Sequence, residues 1–283
     1  MSDISTGVPQ GSIIGPFLFV LVINDPPTHL DNCGTLMYAD DTVLFYSSKD
    51  VKKIQYALMK DIDKINNRLE ENSLFPNKKK TERVLFGTET RLNSVEDFTV
   101  YVQGTPITRV LEYKYLGVTL DETLSWNTHV RFILSKAGKR MLRRIRSNIT
   151  INAANRIYKS FIIPVLEYCD TVWNCCGKLN SDSLEKLQRW AVRIITRNSS
   201  SDDAMKCLAY HSLELRRQEH VYKLVKRCIS RKSPQFFHDY FVLKRDKISR
   251  VTRQSNLLHL PKVRTESAKK SFYYSGCIIY NQR

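Results

Sequence analysis

The apolar and aromatic run from Leu36 to Phe45 is split at its middle by two adjacent carboxylates, Asp40 and Asp41. A buried strand or helix does not carry two unpaired charges at its centre, because an isolated carboxylate taken out of water costs several kcal/mol even after relaxation. The run must therefore fold back on itself as two strands with the carboxylates at the hairpin tip. Asp is also an ordinary turn residue, so the pair by itself does not define a chemistry. Where it does have one, adjacent carboxylates suit a hard divalent cation such as Mg²⁺, held as in two-metal phosphoryl transfer.

The surroundings of the hairpin are readable from periodicity. Upstream, Ile13 to Asn24 reads as a buried helix opened by Gly15-Pro16, since proline suits a first helical turn. Downstream, Val51, Ile54, Leu58, Ile62, Ile65 and Leu69 recur every three or four residues and predict one helix of about five turns. Short strands are expected at Arg83 to Phe86, at Phe98 to Val102 before a Gln103-Gly104 turn, and at Tyr113 to Leu120.

After Asp121 the pattern becomes helical. Val130, Ile133, Ala137, Met141 and Ile145 share one face, and Ala153 to Tyr168 is interrupted by Pro164. A helix through Leu184, Leu187, Ala191 and Ile194 is expected after a Ser181-Asp182-Ser183 cap, and Leu213 to Ile229 forms another. The fold class is α+β, with a largely helical second part. Three regions are expected: 1–120, 121–232, and a weakly ordered extension over 233–283.

Charge divides the chain at the same place. Residues 1–120 hold 13 Lys and Arg against 15 Asp and Glu, whereas residues 121–283 hold 32 against 13. A basic surplus with interleaved aromatics is the footprint of a polyanion binder, because lysines and arginines on phosphates release condensed counterions. Arg140, Arg143 and Arg144 stand in a segment, Trp126 to Arg146, that has no acidic residue, and they are the candidate phosphate contacts; a merely solvated helix face is the alternative.

The apolar run Ile13 to Ile23 is too short for the roughly 20 residues a bilayer needs, and no basic-then-apolar leader precedes it. The expectation is an intracellular protein, in nucleus or cytoplasm, not secreted and without membrane association. Seven irregularly spaced cysteines predict reduced thiols, and the set Cys169, Cys175, Cys176 and His211 lacks the paired spacing of a zinc site.

Four blocks in order carry a resemblance. The string Gly7-Val8-Pro9-Gln10-Gly11-Ser12 with Gly15-Pro16, then Tyr38-Ala39-Asp40-Asp41, then Asn77 with Lys80-Thr81, then Tyr113, Tyr115-Leu116-Gly117 and Leu120-Asp121, together resemble the reverse transcriptases. Asn24-Asp25, Pro164, Leu166-Glu167-Tyr168, Trp173 and Leu187-Gln188-Arg189 narrow the resemblance to non-LTR, LINE-type retrotransposons of the jockey-like kind. Each block also has a plainer reading, as a turn, a charge run or an amphipathic hairpin.

The resemblance implies a partial right-hand polymerase palm, an antiparallel sheet with helices, followed by a mostly helical thumb-like region. It implies an RNA-directed DNA polymerase, a magnesium-dependent nucleotidyltransferase with Asp40 and Asp41 as catalytic metal ligands. Gly7, Pro9, Gln10, Gly11 and Tyr38 would meet template and nucleotide, and Lys80 would serve the pyrophosphate leaving group as acid or counter-charge. The implied partners are an RNA template, a DNA primer, their RNA–DNA hybrid and deoxynucleotides; the oligomeric state is open. An earlier family block with a further metal-binding aspartate has no counterpart in Met1 to Thr6, Asp3 included, so little primer extension is expected of the chain alone. The alternative is a catalytically inactive nucleic-acid-binding remnant of such an element.

Overall fold

The computed structural model describes residues 11–23, 30–96, 98–139, 146–198, 200–247 and 254–283. The chain divides into two compact units, Met1–Tyr113 and Lys114–Arg283. Among the described residues no helix is long and apolar enough to cross a membrane.

In the first unit, helix α1 (Gly15–Ile23) starts where the Ser12 hydroxyl accepts the Gly15 N–H at 2.9 Å. The expectation of a buried helix is not met. Only Gly15 is buried, and Phe17, Val20 and Leu21 are each more than half exposed. The physical reason lies in its composition: a helix apolar on every side needs cover from several directions, and the described residues do not supply it.

Strands β1 (Gly34–Tyr38) and β2 (Asp41–Phe45) pair antiparallel, with Tyr38 opposite Asp41 and Gly34 opposite Phe45. Helix α2 (Val51–Glu71) follows, its first turn closed by the Asp50 side chain accepting the Lys52 N–H at 2.9 Å. Its length agrees with the periodicity of its apolar residues.

The remaining strands of this unit are shorter than the sequence suggests. In place of Arg83 to Phe86 there is only β3 (Glu82–Arg83), and after α3 (Glu89–Ser94) the expected Phe98 to Val102 shrinks to β4 (Tyr101–Val102). Strand β4 turns back into β5 (Thr105–Pro106) through Gln103 and Gly104, both at positive φ (46° and 72°), as a type I′ hairpin requires. Pro106 offers no N–H to extend the ladder. Strand β6 (Thr108–Arg109) runs parallel to β3. Ile62, Val100, Val102 and Ile107 form the small core, with Leu44 and Leu58 packed on it.

The stretch Tyr113 to Leu120 is a hairpin and not one strand: β7 (Glu112–Tyr115) and β8 (Val118–Asp121) pair through Leu116 and Gly117, at φ 44° and 85°. Asp121 then accepts the N–H groups of Thr123, Ser125 and Trp126 and both nearby hydroxyls, from 2.7 to 3.2 Å. Burial pushes its carboxyl up, but these donors outweigh burial and hold it below the usual carboxylate range. That bracket starts α4 (Asn127–Lys139).

Pro164 does interrupt the next helix. Helix α5 (Ile151–Ile157) widens to a π-turn over Tyr158–Ile162 before α6 (Ile163–Glu167), where Pro164 sits in the first turn. After α7 (Asp170–Trp173), α8 spans Lys178–Thr196. It begins earlier than expected: Gly177, at φ 79°, breaks the chain, and Ser183 back-bonds to the Leu179 carbonyl at 2.8 Å from inside the helix instead of capping it. Helices α9 (Ser201–Cys207) and α10 (Leu213–Ile229) follow, the second with the bounds the sequence predicts.

The second unit has two cores. Val130, Ile133, Ala137, Tyr158, Leu166, Trp173, Leu184 and Ile195 belong to the larger. Val221, Val225 and Cys228 of α10 belong to the smaller, with Phe241, Leu243, Leu258 and Cys277. The last four residues come from the segment expected to be weakly ordered. That segment carries α11 (Lys244–Lys247), α12 (Glu266–Lys269) and α13 (Phe272–Asn281), and Leu258 and Cys277 are fully buried.

Candidate active site

The candidate site is the tip of the β1–β2 hairpin. Only Ala39 and Asp40 lie between the paired residues Tyr38 and Asp41. Ala39 has φ 52°, a left-handed conformation that costs a non-glycine residue about 1–2 kcal/mol. This tight loop puts Asp40 and Asp41 side by side and exposed, with Tyr38 beside them at 64% exposure.

The hairpin is anchored from below by a residue that periodicity alone hides. Asp61 occupies the inner face of α2 and is fully buried. Its carboxylate accepts the N–H groups of Cys33 at 2.7 Å, Asn32 at 2.9 Å and Asp31 at 3.3 Å, and the Asn32 amide at 3.2 Å. Burial alone would raise this carboxyl, yet the three backbone donors hold it below its ordinary value. Asp31 in turn pairs with Lys60 at 3.1 Å and Lys64 at 2.7 Å. The chain entering β1 is therefore tied to α2 by side-chain chemistry. An acidic residue standing on the apolar stripe of an amphipathic helix was the available signal.

For Tyr113, of the fourth sequence block, burial and then the negative charges of Asp41 and Glu82 push the hydroxyl up. Lys80 lies in an exposed turn whose shape comes from Asn77: its carbonyl accepts the Lys80 N–H at 3.0 Å and the Thr81 hydroxyl at 2.9 Å. Gly11, at φ 87°, has open space where a Cβ would stand. Gly7, Pro9 and Gln10 lie outside the described residues, as do Arg140, Arg143 and Arg144.

The donor set at the tip consists of two hard carboxylates facing solvent. Mg²⁺ commonly binds through one or two carboxylates and fills its other positions with water and phosphate oxygens, and the exposed pair fits that habit. Among the described residues no group of three or more His, Cys, Asp or Glu side chains forms a closed metal site.

In the second unit, α8 presents Lys186, Arg189 and Arg193 along one exposed face, at helical spacing. These are cations that composition located only as part of a general surplus.

The sequence of residues 2–120 matches the model of "Reverse transcriptase (RNA-dependent DNA polymerase)". Residues 2–120 belong to the reverse transcriptase family. The chain is 30% identical over 208 residues to the RNA-directed DNA polymerase from mobile element jockey of Drosophila melanogaster, covering 69% of this chain and 22% of the relative. It is 29% identical over 202 residues to a probable RNA-directed DNA polymerase from transposon BS of the same fly, covering 67% and 22%. A Pol polyprotein from a type-1 retrotransposable element R1 of Nasonia vitripennis is 26% identical over 180 residues, covering 59% and 43%. These similarities support a jockey-like reverse transcriptase. The chain thus spans about a fifth of the length of the fly relatives it matches. No solved structure matches the chain.

Proposed function

We propose that this chain is the second half of the palm and the thumb-like region of an RNA-directed DNA polymerase of a non-LTR retrotransposon, with a boundary near residue 120. The observation that carries the reading is the two-residue hairpin tip, which sets Asp40 and Asp41 together in solvent beside Tyr38. Asp40 and Asp41 would hold Mg²⁺, which supplies charge neutralisation for phosphoryl transfer from a deoxynucleotide. Tyr38 offers its exposed ring to a nucleotide sugar or base. Lys80, free to swing from its turn, offers an ammonium to a pyrophosphate leaving group. Gly7, Pro9, Gln10 and Gly11 remain the sequence-based candidates for template and nucleotide contact.

In the second unit helix α8, with Lys186, Arg189 and Arg193, and the basic segment with Arg140, Arg143 and Arg144 would track the phosphates of an RNA–DNA hybrid. Phosphate contacts of this kind position a duplex without reading its sequence.

A second reading is a nucleic-acid-binding module without catalysis. It is favoured by the concentration of basic residues after position 120 and by the open, two-carboxylate donor set. One experiment separates the two. Binding of a fluorescent deoxynucleotide to the chain, preloaded with RNA–DNA hybrid, is measured with and without Mg²⁺. The polymerase reading expects Mg²⁺-dependent binding that falls at least about tenfold in an Asp40→Asn, Asp41→Asn double variant while hybrid affinity is unchanged. Nucleotide binding that ignores both Mg²⁺ and the double substitution overturns it and leaves the binding module.

A further inference from the structure

Beyond the C-terminal end of α10 the chain turns and carries a row of aromatic rings. The helix end is fixed by backbone bonds. Arg231, at φ 54°, donates its N–H to the Cys228 carbonyl at 3.0 Å, and the Lys232 N–H reaches the Arg227 carbonyl at 2.8 Å, the pattern of a Schellman motif. Arg231 and Lys232 are thereby held next to each other and exposed. Pro234 then opens a single 3₁₀ turn, Gln235–Phe237. It is secured by the Phe237 N–H on the Pro234 carbonyl at 3.0 Å and by His238 Nε2 donating to the Ser233 carbonyl at 2.8 Å.

The two adjacent rings of that turn differ in what covers them. Phe237 packs on the smaller core, edge-on to Phe272 with centroids 6.1 Å apart. Phe236, whose ring lies 4.2 Å from that of Phe237, is 64% exposed. Tyr240 contacts Phe237 at 6.1 Å and meets Tyr273 of α13 edge to face at 5.7 Å, yet is 47% exposed. Both exposed rings are thus backed by rings of the core, whose contacts hold their planes. Charge accumulates around them. Residues 221–245 hold seven Lys and Arg against Asp239 alone, and exposed Lys270 comes from the segment just before Phe272 and Tyr273; its neighbour Lys269 is paired with Glu266 at 2.6 Å. A helix C-terminus favours cations in its last turn, but it gives no reason for two rings left in water.

We propose that this surface docks single-stranded RNA, with Phe236 and Tyr240 each taking the face of an unpaired base and Arg231, Lys232 and Lys270 meeting the phosphates. The occupant follows from the pairing of ring and charge. Aromatic faces beside a basic surface suit a single strand, whose bases are free to stack on them, whereas a duplex keeps its bases stacked on one another and asks mainly for cations. An anionic membrane would also meet such charge, but a helix lying in that interface presents a broad apolar face. Between residues 216 and 259 the exposed large hydrophobic side chains, among the described residues, are Phe236 and Tyr240 alone. The choice of RNA over DNA rests on the RNA-directed reading of the chain; the docking of a single strand rests on these rings and charges.

The test uses the full chain and a fluorescent RNA dodecamer of repeating cytidine and adenosine, which cannot pair with itself, beside the same dodecamer in a hybrid with its DNA complement. In anisotropy titrations Phe236→Leu, Tyr240→Leu should weaken single-strand binding at least about tenfold and leave hybrid affinity unchanged. The ring-preserving pair Phe236→Tyr, Tyr240→Phe should bind the single strand as the wild type does, which separates loss of the rings from a disturbed fold. With one iodouridine in the strand, irradiation should attach it within residues 235–241, read by mass spectrometry. Single-strand affinity that survives the leucine pair, or that falls equally in the ring-preserving pair, overturns the proposal, as does attachment elsewhere; intact hybrid binding beside any of these leaves the proposed function standing. A DNA dodecamer of the same sequence bound more tightly than the RNA overturns the choice of RNA. Sedimentation with phosphatidylserine vesicles that is lost in the leucine pair while RNA binding is kept assigns the surface to a membrane instead.

Discussion

Replacing Asp61 should loosen the candidate site without touching either carboxylate at its tip. Asp61→Ala removes the acceptor for the N–H groups of Cys33, Asn32 and Asp31. The bonds at 2.7 and 2.9 Å are charge-assisted, each worth about 1.5–3 kcal/mol. Water can replace the acceptor at exposed Asn32, whereas Cys33 is half-buried, so the expected loss is roughly 2–4 kcal/mol. Against a domain stability of about 5–15 kcal/mol this is large. Asp61→Asn should fall between, because one amide oxygen cannot serve every donor. Hydrogen exchange followed by mass spectrometry reads the effect locally: protection over residues 31–45 should drop by the corresponding factor while residues 213–229 of α10 stay unchanged. Protection over 31–45 within about 0.5 kcal/mol of wild type would refute the account of Asp61 as the anchor of the hairpin.

The same reasoning gives three further expectations. A Cβ at Gly276 would stand 3.0 Å from Val225 Cγ2 and 3.2 Å from a Phe241 ring carbon, so Gly276→Ala should destabilise the smaller core of the second unit by about 1–3 kcal/mol, read in urea unfolding. Acid should act in two steps. His129 has a lowered folded pKa, so its contribution is complete above the unfolded value of 6.5 and is lost as pH falls below it; Asp61 and Asp121, also lowered, lose theirs only below 3.8. Chemical denaturation at a series of pH values should show the first loss disappear in His129→Gln. For hybrid binding, Lys186→Gln, Arg189→Gln, Arg193→Gln should flatten the salt dependence by up to about 3 in slope, at roughly 0.9 per phosphate contact; an unchanged slope removes that face of α8 from the interface.

What could be read in advance follows from which interactions are local. Asp40-Asp41 inside an apolar run forced a hairpin, and the three-and-four spacing from Val51 to Leu69 forced α2, because both patterns depend only on neighbours in sequence. The Leu213–Ile229 helix was equally legible, framed by Ser212, whose hydroxyl accepts the Leu215 N–H. The short strands were overestimated, since apolar content at Arg83 to Phe86 and Phe98 to Val102 reports burial, not whether a partner strand continues. Helix α1 reversed its expectation for the opposite reason: its apolar residues were visible, but what would cover them is not a property of the helix. Asp61 was hidden because its importance arises from hydrogen bonds to residues 28 to 30 positions away.

The central claim, that Asp40 and Asp41 form a divalent-cation site at the hairpin tip, is tested most directly by paramagnetic Mn²⁺ standing in for Mg²⁺. Mn²⁺ titrated into isotope-labelled chain broadens the amide resonances nearest the bound ion, even when affinity is weak. The account predicts that Tyr38 to Thr42 broaden first, and that Asp40→Asn, Asp41→Asn abolishes this selectivity. Broadening that begins elsewhere, or that persists at the hairpin tip in the double variant, would contradict it.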